Sequence, residues 1–168
     1  MARCLIVGCG CRGQGLARAL RESGHAVRAT TRDRERLAAI ADSGGEAVLA
    51  DPDRLATLLP ALDQVSVLVL ALGSAVGPPE LIAALHGPRL AALLEKVIDT
   101  PIRGVVYEAG GTVDGAVLAD GARLVASACE RSRIAYELVT ATPEEWLQVT
   151  AGAVARVLDG SPSTLTTG

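Results

Sequence analysis

The stretch Cys4-Leu5-Ile6-Val7-Gly8-Cys9-Gly10-Cys11-Arg12-Gly13-Gln14-Gly15-Leu16 constrains the fold more than any other part of the chain. A short apolar run passes into G-x-G-x-x-G, and an amphipathic helical pattern follows at once. Such a segment can end a buried parallel strand, turn sharply and open a helix whose first N–H groups carry no side-chain screen. Each glycine contributes by lacking a Cβ: Gly8 allows the tight turn, Gly10 lets an anion approach the main chain, and Gly13 lets the helix settle against the strand. The arrangement reads as a pyrophosphate cradle, since the positive end of the helix dipole reinforces the bare amides. Cys11 and Arg12 lie inside it, and Arg12 is long enough to reach the phosphates.

Strand and helix signals alternate through the rest of the chain without an internal repeat. The first helix spans about 12–23, with Leu16, Ala17 and Leu20 on one stripe and Gly24 as its stop. A strand at 26–30 leads into a helix begun by Thr31-Arg32-Asp33, with Leu37, Ile40 and Ala41 facing inward. A third strand at 46–49 precedes Asp51-Pro52-Asp53, which opens a helix expected to bury Leu55, Leu58, Leu59 and Leu62. The run 65–72 is apolar apart from Ser66, as a central strand covered on both faces must be. Helix then occupies 79–96 with an interruption at Gly87-Pro88, followed by a strand at 103–108, a helix at 118–131, a strand at 134–139 and a last helix at 143–158. The spacing predicts an α/β doubly wound parallel sheet of six strands in the order 3-2-1-4-5-6, forming one nucleotide-binding domain over 1–159, with a flexible tail at 160–168. Ligands in such sheets bind at the carboxyl ends of the strands where the order reverses. That rule selects the loops 8–13 and 71–75, including Leu72 and Gly73, as the walls of the cleft.

The residues ending the second strand bear on the choice of dinucleotide. An acid there accepts from an unmodified ribose 2′-OH, whereas this chain has Thr30, Thr31 and Arg32. A guanidinium beside hydroxyls suits a 2′-phosphate, so NADP(H) is the preferred cofactor and NAD(H) the possible one. On the plainer reading, Arg32 is a solvated helix-start residue and Asp33 its N-cap. Asp51 stands where an adenine edge would lie, and serves equally well as a helix cap.

Composition excludes other classes. At 168 residues there is no room for a separate substrate domain of ordinary size beside the nucleotide fold. A net charge of -3 and 2% aromatic residues leave neither an electrostatic footprint nor stacking platforms for nucleic acid. No apolar run reaches the ~20 residues of a membrane span, so a cytoplasmic protein with four free cysteines is expected.

The segments Ile6-Val7-Gly8-Cys9-Gly10-Cys11-Arg12-Gly13, Thr31-Arg32-Asp33, Val48-Leu49-Ala50-Asp51-Pro52 and the strand at 67–73 resemble the atypical short-chain dehydrogenase/reductase proteins, close to the extended epimerase type. The resemblance implies a Rossmann fold, a dinucleotide cofactor held at the matched positions, and a small reductase or epimerase-like oxidoreductase acting on an unidentified small molecule. Two departures stand out. The family more often spaces its glycines G-x-x-G-x-x-G, and its catalytic Tyr-x-x-x-Lys is absent: Tyr107 is followed four residues on by Gly111, Tyr136 by Thr140, and the single lysine is Lys96. The catalytic residues are therefore unknown. Residues 8–51 also resemble the NAD-binding domains of potassium-transport regulators, which supports an alternative, a non-catalytic nucleotide-sensing regulatory protein.

Replacement chemistry is sparse. Tyr107 and Glu108 close the fifth strand, where Glu108 is a candidate general base or simply a strand-end carboxylate in solvent or on a backbone amide. His25 and His86 read as surface residues. Cys9 and Cys11 flank Gly10 at a helix N-terminus that favours thiolate, although packing alone explains a small thiol there. No metal set is expected. The last helix, exposing Leu147, Val154 or Leu158, is a candidate surface for a homodimer.

Overall fold

The computed structural model describes residues 1–160. Strands β1 (Arg3–Val7), β2 (Ala26–Thr31), β3 (Glu46–Leu49), β4 (Val67–Leu70), β5 (Gly104–Glu108) and β6 (Ala135–Val139) form one sheet in the order β3-β2-β1-β4-β5-β6. Every pairing is parallel, with Cys4 opposite Val27 and Val67, and Leu70 opposite Tyr107. The expected Rossmann topology is thus present, with its reversal between β1 and β4. The helices are α1 (Cys11–Glu22), α2 (Leu37–Asp42), α3 (Leu55–Leu58), α4 (Pro79–Leu85), α5 (Pro88–Val97), α6 (Gly115–Ser132) and α7 (Trp146–Asp159).

Side-chain alternation along the strands builds a core on each face. Leu68 and Leu70 of β4 join Leu5, Val7, Val105, Tyr107, Leu58, Leu90, Leu94 and Val125 beneath α3, α5 and α6. Val67 and Val69 point the other way, to Ile6, Leu16, Leu20, Ile40, Val106, Trp146 and Val154 beneath α1, α2 and α7. The sheet is therefore covered on both sides, which is why its central strands read as unbroken apolar runs.

Three local expectations are corrected. The third helix turns 3-10 at Leu59–Leu62, because Pro60 has no N–H to continue an α-helical ladder, and Leu59 faces solvent. The second begins as a 3-10 turn at Arg34–Arg36, capped by Asp33, whose Oδ1 accepts from the Glu35 N–H at 2.9 Å. Its six-residue α-helical part buries Ile40 and leaves Ala41 exposed. On α7, Val154 is 1% exposed and belongs to the core, whereas Leu147 is 42% exposed. The break at Gly87-Pro88 is present, with Pro88 opening α5 at the position where its missing N–H costs nothing. Gly160 caps α7 in the left-handed conformation; the tail expected beyond it lies outside the described residues. Among the described residues no helix is long and apolar enough to cross a membrane.

Candidate functional site

At the carboxyl ends of β1–β4 lies a cleft of about 770 Å³, lined by residues that include Gly8–Gly13, Thr30–Asp33, Arg36, Leu72 and Trp146. Gly8 has φ +89°, and a Cβ there would sit 2.7 Å from the Ala71 carbonyl oxygen, so both backbone conformation and space demand glycine. A Cβ on Gly13 would lie 2.9 Å from Cys9 Sγ and 3.7 Å from Ile6 Cγ2, which is the close helix-to-strand approach the motif implies. Gly10 is open except for Arg36 Nη1, 3.2 Å from where its Cβ would stand.

The loop's own hydrogen bonds identify the amides that can serve a ligand. Cys9 N–H donates to Thr30 O at 3.0 Å, and Gly10 N–H donates to Gly8 O at 3.1 Å. The first intrahelical bond comes from Gln14 N–H to Gly10 O. Cys11, Arg12 and Gly13 thus lead the helix with no side-chain cap and no acid in the first turn. Thr30 Oγ1 and Trp146 Nε1, both buried in residues of the cleft wall, lack a partner among the described residues. A cradle only glycine can form, three uncapped amides and two orphaned polar atoms fit a phosphate-bearing ligand.

At the β2 end, Thr31 is buried and its hydroxyl accepts from the Asp33 N–H at 3.1 Å. Arg32 is exposed at the cleft rim without an ion-pair partner among the described residues. Sequence reading missed Arg36, which ends the 3-10 turn capped by Asp33, reaches over Gly10 and pairs loosely with Asp33 at 3.7 Å. The available signal was the clustering of Arg32, Arg34 and Arg36 just after the second strand. Asp51 is not in the cleft wall, although Ala50 and Pro52 are; its Oδ1 accepts from the Asp53 N–H at 2.9 Å in a local turn.

The other end of the cleft is held by an ion pair. Arg12 Nη2 lies 2.9 Å from Glu108 Oε1, and its guanidinium carbon stands 4.6 Å from the centre of the Trp146 ring. Glu108 Oε2 accepts from the Gly73 N–H at 3.0 Å. Glu108 is therefore the carboxylate on a backbone amide considered from sequence, and neither solvated nor free as a base: it is 5% exposed, with both oxygens engaged. Gly73, expected in the cleft wall, packs behind it against Gly110 and Glu108.

The histidines also differ from expectation. His86 is 1% exposed, because the chain break after α4 turns its ring inward. Its Nε2 donates to Leu72 O at 3.0 Å, so Nδ1 accepts from the Tyr107 hydroxyl at 2.6 Å. His25 is half-buried, with Nδ1 accepting from the Ala2 N–H at 3.3 Å. Burial lowers the His86 pKa, outweighing the opposing Leu72 carbonyl and Glu108 charge. A depressed pKa means that below the unfolded value of ~6.5 the unfolded chain binds a proton that the folded chain resists, so stability is full above that pH and declines as pH falls through it. Denaturant midpoints measured between pH 7.5 and 5 should fall accordingly in the wild type, and less steeply in His86→Gln.

All four cysteines are free, and Cys11 alone is exposed. Burial pushes the Cys9 thiol up to about 11, against the thiolate considered for it and in favour of packing. Under native conditions a maleimide should label Cys11 quickly and Cys4, Cys9 and Cys129 only on unfolding, as intact-protein mass would report.

Residues 4–85 match the family model of the TrkA-N domain. No curated protein matches the sequence. Among solved structures, gox2253 is similar at a TM-score of 0.69 and 20% identity, over 83% of this chain and 51% of that one. A short-chain dehydrogenase/reductase superfamily protein from Agrobacterium tumefaciens with bound NAD follows at 0.67 and 18%, over 81% and 48%. UDP-glucuronic acid 4-epimerase from Bacillus cereus in complex with NAD follows at 0.65 and 14%, over 81% and 54%. The chain spans about half the length of these structures, and at such identities the likeness is one of fold. The protein thus carries a TrkA-N match in its N-terminal half, on the Rossmann fold that it shares with short-chain dehydrogenase/reductase and epimerase structures.

Proposed function

We propose that this chain binds a 2′-phosphorylated dinucleotide, NADP(H), and uses its occupancy as a signal. The observation that carries the reading is the pair Arg32 and Arg36 at the rim beside the uncapped start of α1, with no acid at Thr30, Thr31 or Arg32 to receive an unmodified ribose. Gly8, Gly10, Cys11, Arg12 and Gly13 would hold the pyrophosphate, Thr31 and Arg32 the 2′-phosphate, and Leu72 the opposite wall. Bound nicotinamide cofactor supplies hydride chemistry, so the fold likeness keeps a small reductase as a second reading. Against it, Tyr107 is buried and donates to His86, Tyr136 donates to Glu130 at 2.6 Å on α6, and Lys96 is exposed on α5. None of these offers the cleft a proton donor. The free thiols support a reducing compartment such as the cytoplasm, and the exposed Leu147 supports a second copy or partner as the reader of the bound state.

Titration with NADPH and NADH side by side tests cofactor choice. Arg32→Ala should weaken NADPH by ~1.5 to 3 kcal/mol and leave NADH nearly unchanged, as loss of charge-assisted hydrogen bonds to one phosphate requires. Equal weakening of both would remove the 2′-phosphate assignment. Loss of NADPH absorbance in the presence of quinones, flavins or carbonyls would favour the reductase over the sensor.

A further inference from the structure

Resting on that nucleotide reading, we infer that the site seats only the adenosine-diphosphate part of the dinucleotide, so that the ligand class extends to 2′-phosphorylated ADP-ribose compounds lacking nicotinamide. A dinucleotide crosses the reversal point of a doubly wound sheet, with one mononucleotide over each half. Here the cleft is walled by the ends of β1, β2 and β3, by the loop after β4, and by Val76, Leu85 and Trp146. No residue of 108–113 or 139–143, the chain at the ends of β5 and β6, lines it.

Contacts between protein segments occupy that second half. Val113 N–H donates to Gly73 O at 3.0 Å, and Thr112 N–H donates to Ser74 Oγ at 3.3 Å, so the loops after β4 and β5 are joined side by side. Gly73 and Gly110 meet so closely that a Cβ on Gly73 would overlap the Gly110 carbonyl, and a Cβ on Gly110 would stand 3.2 Å from Thr140 Cγ2. Arg12 then crosses from the glycine loop to Glu108 and lies over Trp146, between the pyrophosphate cradle and the β5 end. A nicotinamide ribose extending from that cradle meets an ion pair and two paired loops, and projects into solvent. Hydride transfer has no enclosed seat there.

Calorimetric titration of the whole chain with NADPH and with 2′-phospho-ADP-ribose provides the test. A seated ring of about nine non-hydrogen atoms would contribute roughly a hundredfold in affinity at the efficiency usual for such ligands. The expected result is that the two ligands bind within about tenfold of each other. A preference for NADPH of tenfold or more overturns this inference and leaves the proposed nucleotide binding intact. Binding of neither ligand overturns both.

Discussion

Gly121→Ala should destabilise the protein by about 3 kcal/mol, even though alanine is the better helix former by ~1 kcal/mol. The reason is Tyr107. Its hydroxyl lies where the new Cβ would be, its Cζ is 2.8 Å from that point, and the His86 carbonyl oxygen is 3.3 Å away. The ring is 1% exposed and packed beneath α5 and α6, so it cannot swing aside. Displacing it breaks the 2.6 Å bond to His86 and leaves two buried polar groups unsatisfied, at about 1 to 3 kcal/mol, in addition to a similar overpacking cost. Tyr107→Phe alone should cost about 1 to 3 kcal/mol for the orphaned His86 nitrogen. In the double variant the hydroxyl is gone before the methyl arrives. The combined loss should therefore fall short of the sum of the singles by more than about 1 kcal/mol, a coupling that urea denaturation of the four species would measure. Strict additivity would mean that the hydroxyl does not fill the Gly121 gap.

Glu108 should show effects of opposite sign on stability and on ligand binding. Glu108→Ala removes the acceptor of the Gly73 N–H and the partner of Arg12 together. Breaking a fully buried pair costs about 3 to 5 kcal/mol, but Arg12 is 38% exposed and can turn to water, so about 2 to 3 kcal/mol is expected here. Glu108→Gln keeps an acceptor for Gly73 and should lose about half as much. Both variants remove a negative charge from beside the guanidinium of Arg12, a residue of the glycine loop, so NADPH should bind more tightly even as the thermal midpoint falls. Weaker NADPH binding in both would mean that Glu108 positions Arg12 for the ligand and does not compete for it.

The glycine loop, the strand order and the cleft position were legible from the sequence because each depends on local chemistry repeated along the chain. Gly8 needs a positive φ, Gly13 needs close packing, and unbroken apolar strands alternating with helices permit few parallel topologies. The helix interruption at Gly87-Pro88 followed from proline's missing donor. The α-helical lengths after β2 and β3 were overestimated, since residue spacing does not separate α from 3-10 backbone at Arg34–Arg36, ahead of α2, or at Leu59–Leu62, beyond α3. His86 was misjudged, Arg36 missed and the partners of Glu108 left unnamed, because nothing beside these residues in the chain reveals what they meet. His86 meets Tyr107 across 21 positions, Gly73 meets Glu108 across 35, and Arg36 comes to lie over Gly10.

The sequence by itself thus determined a doubly wound fold with a glycine turn at its centre, because glycine conformations and hydrophobic periodicity are properties of neighbouring residues. Only the tertiary structure decided which half of the crevice stays open. That depends on a carboxylate from β5, an arginine from α1 and an indole from α7, which meet only when the sheet is assembled.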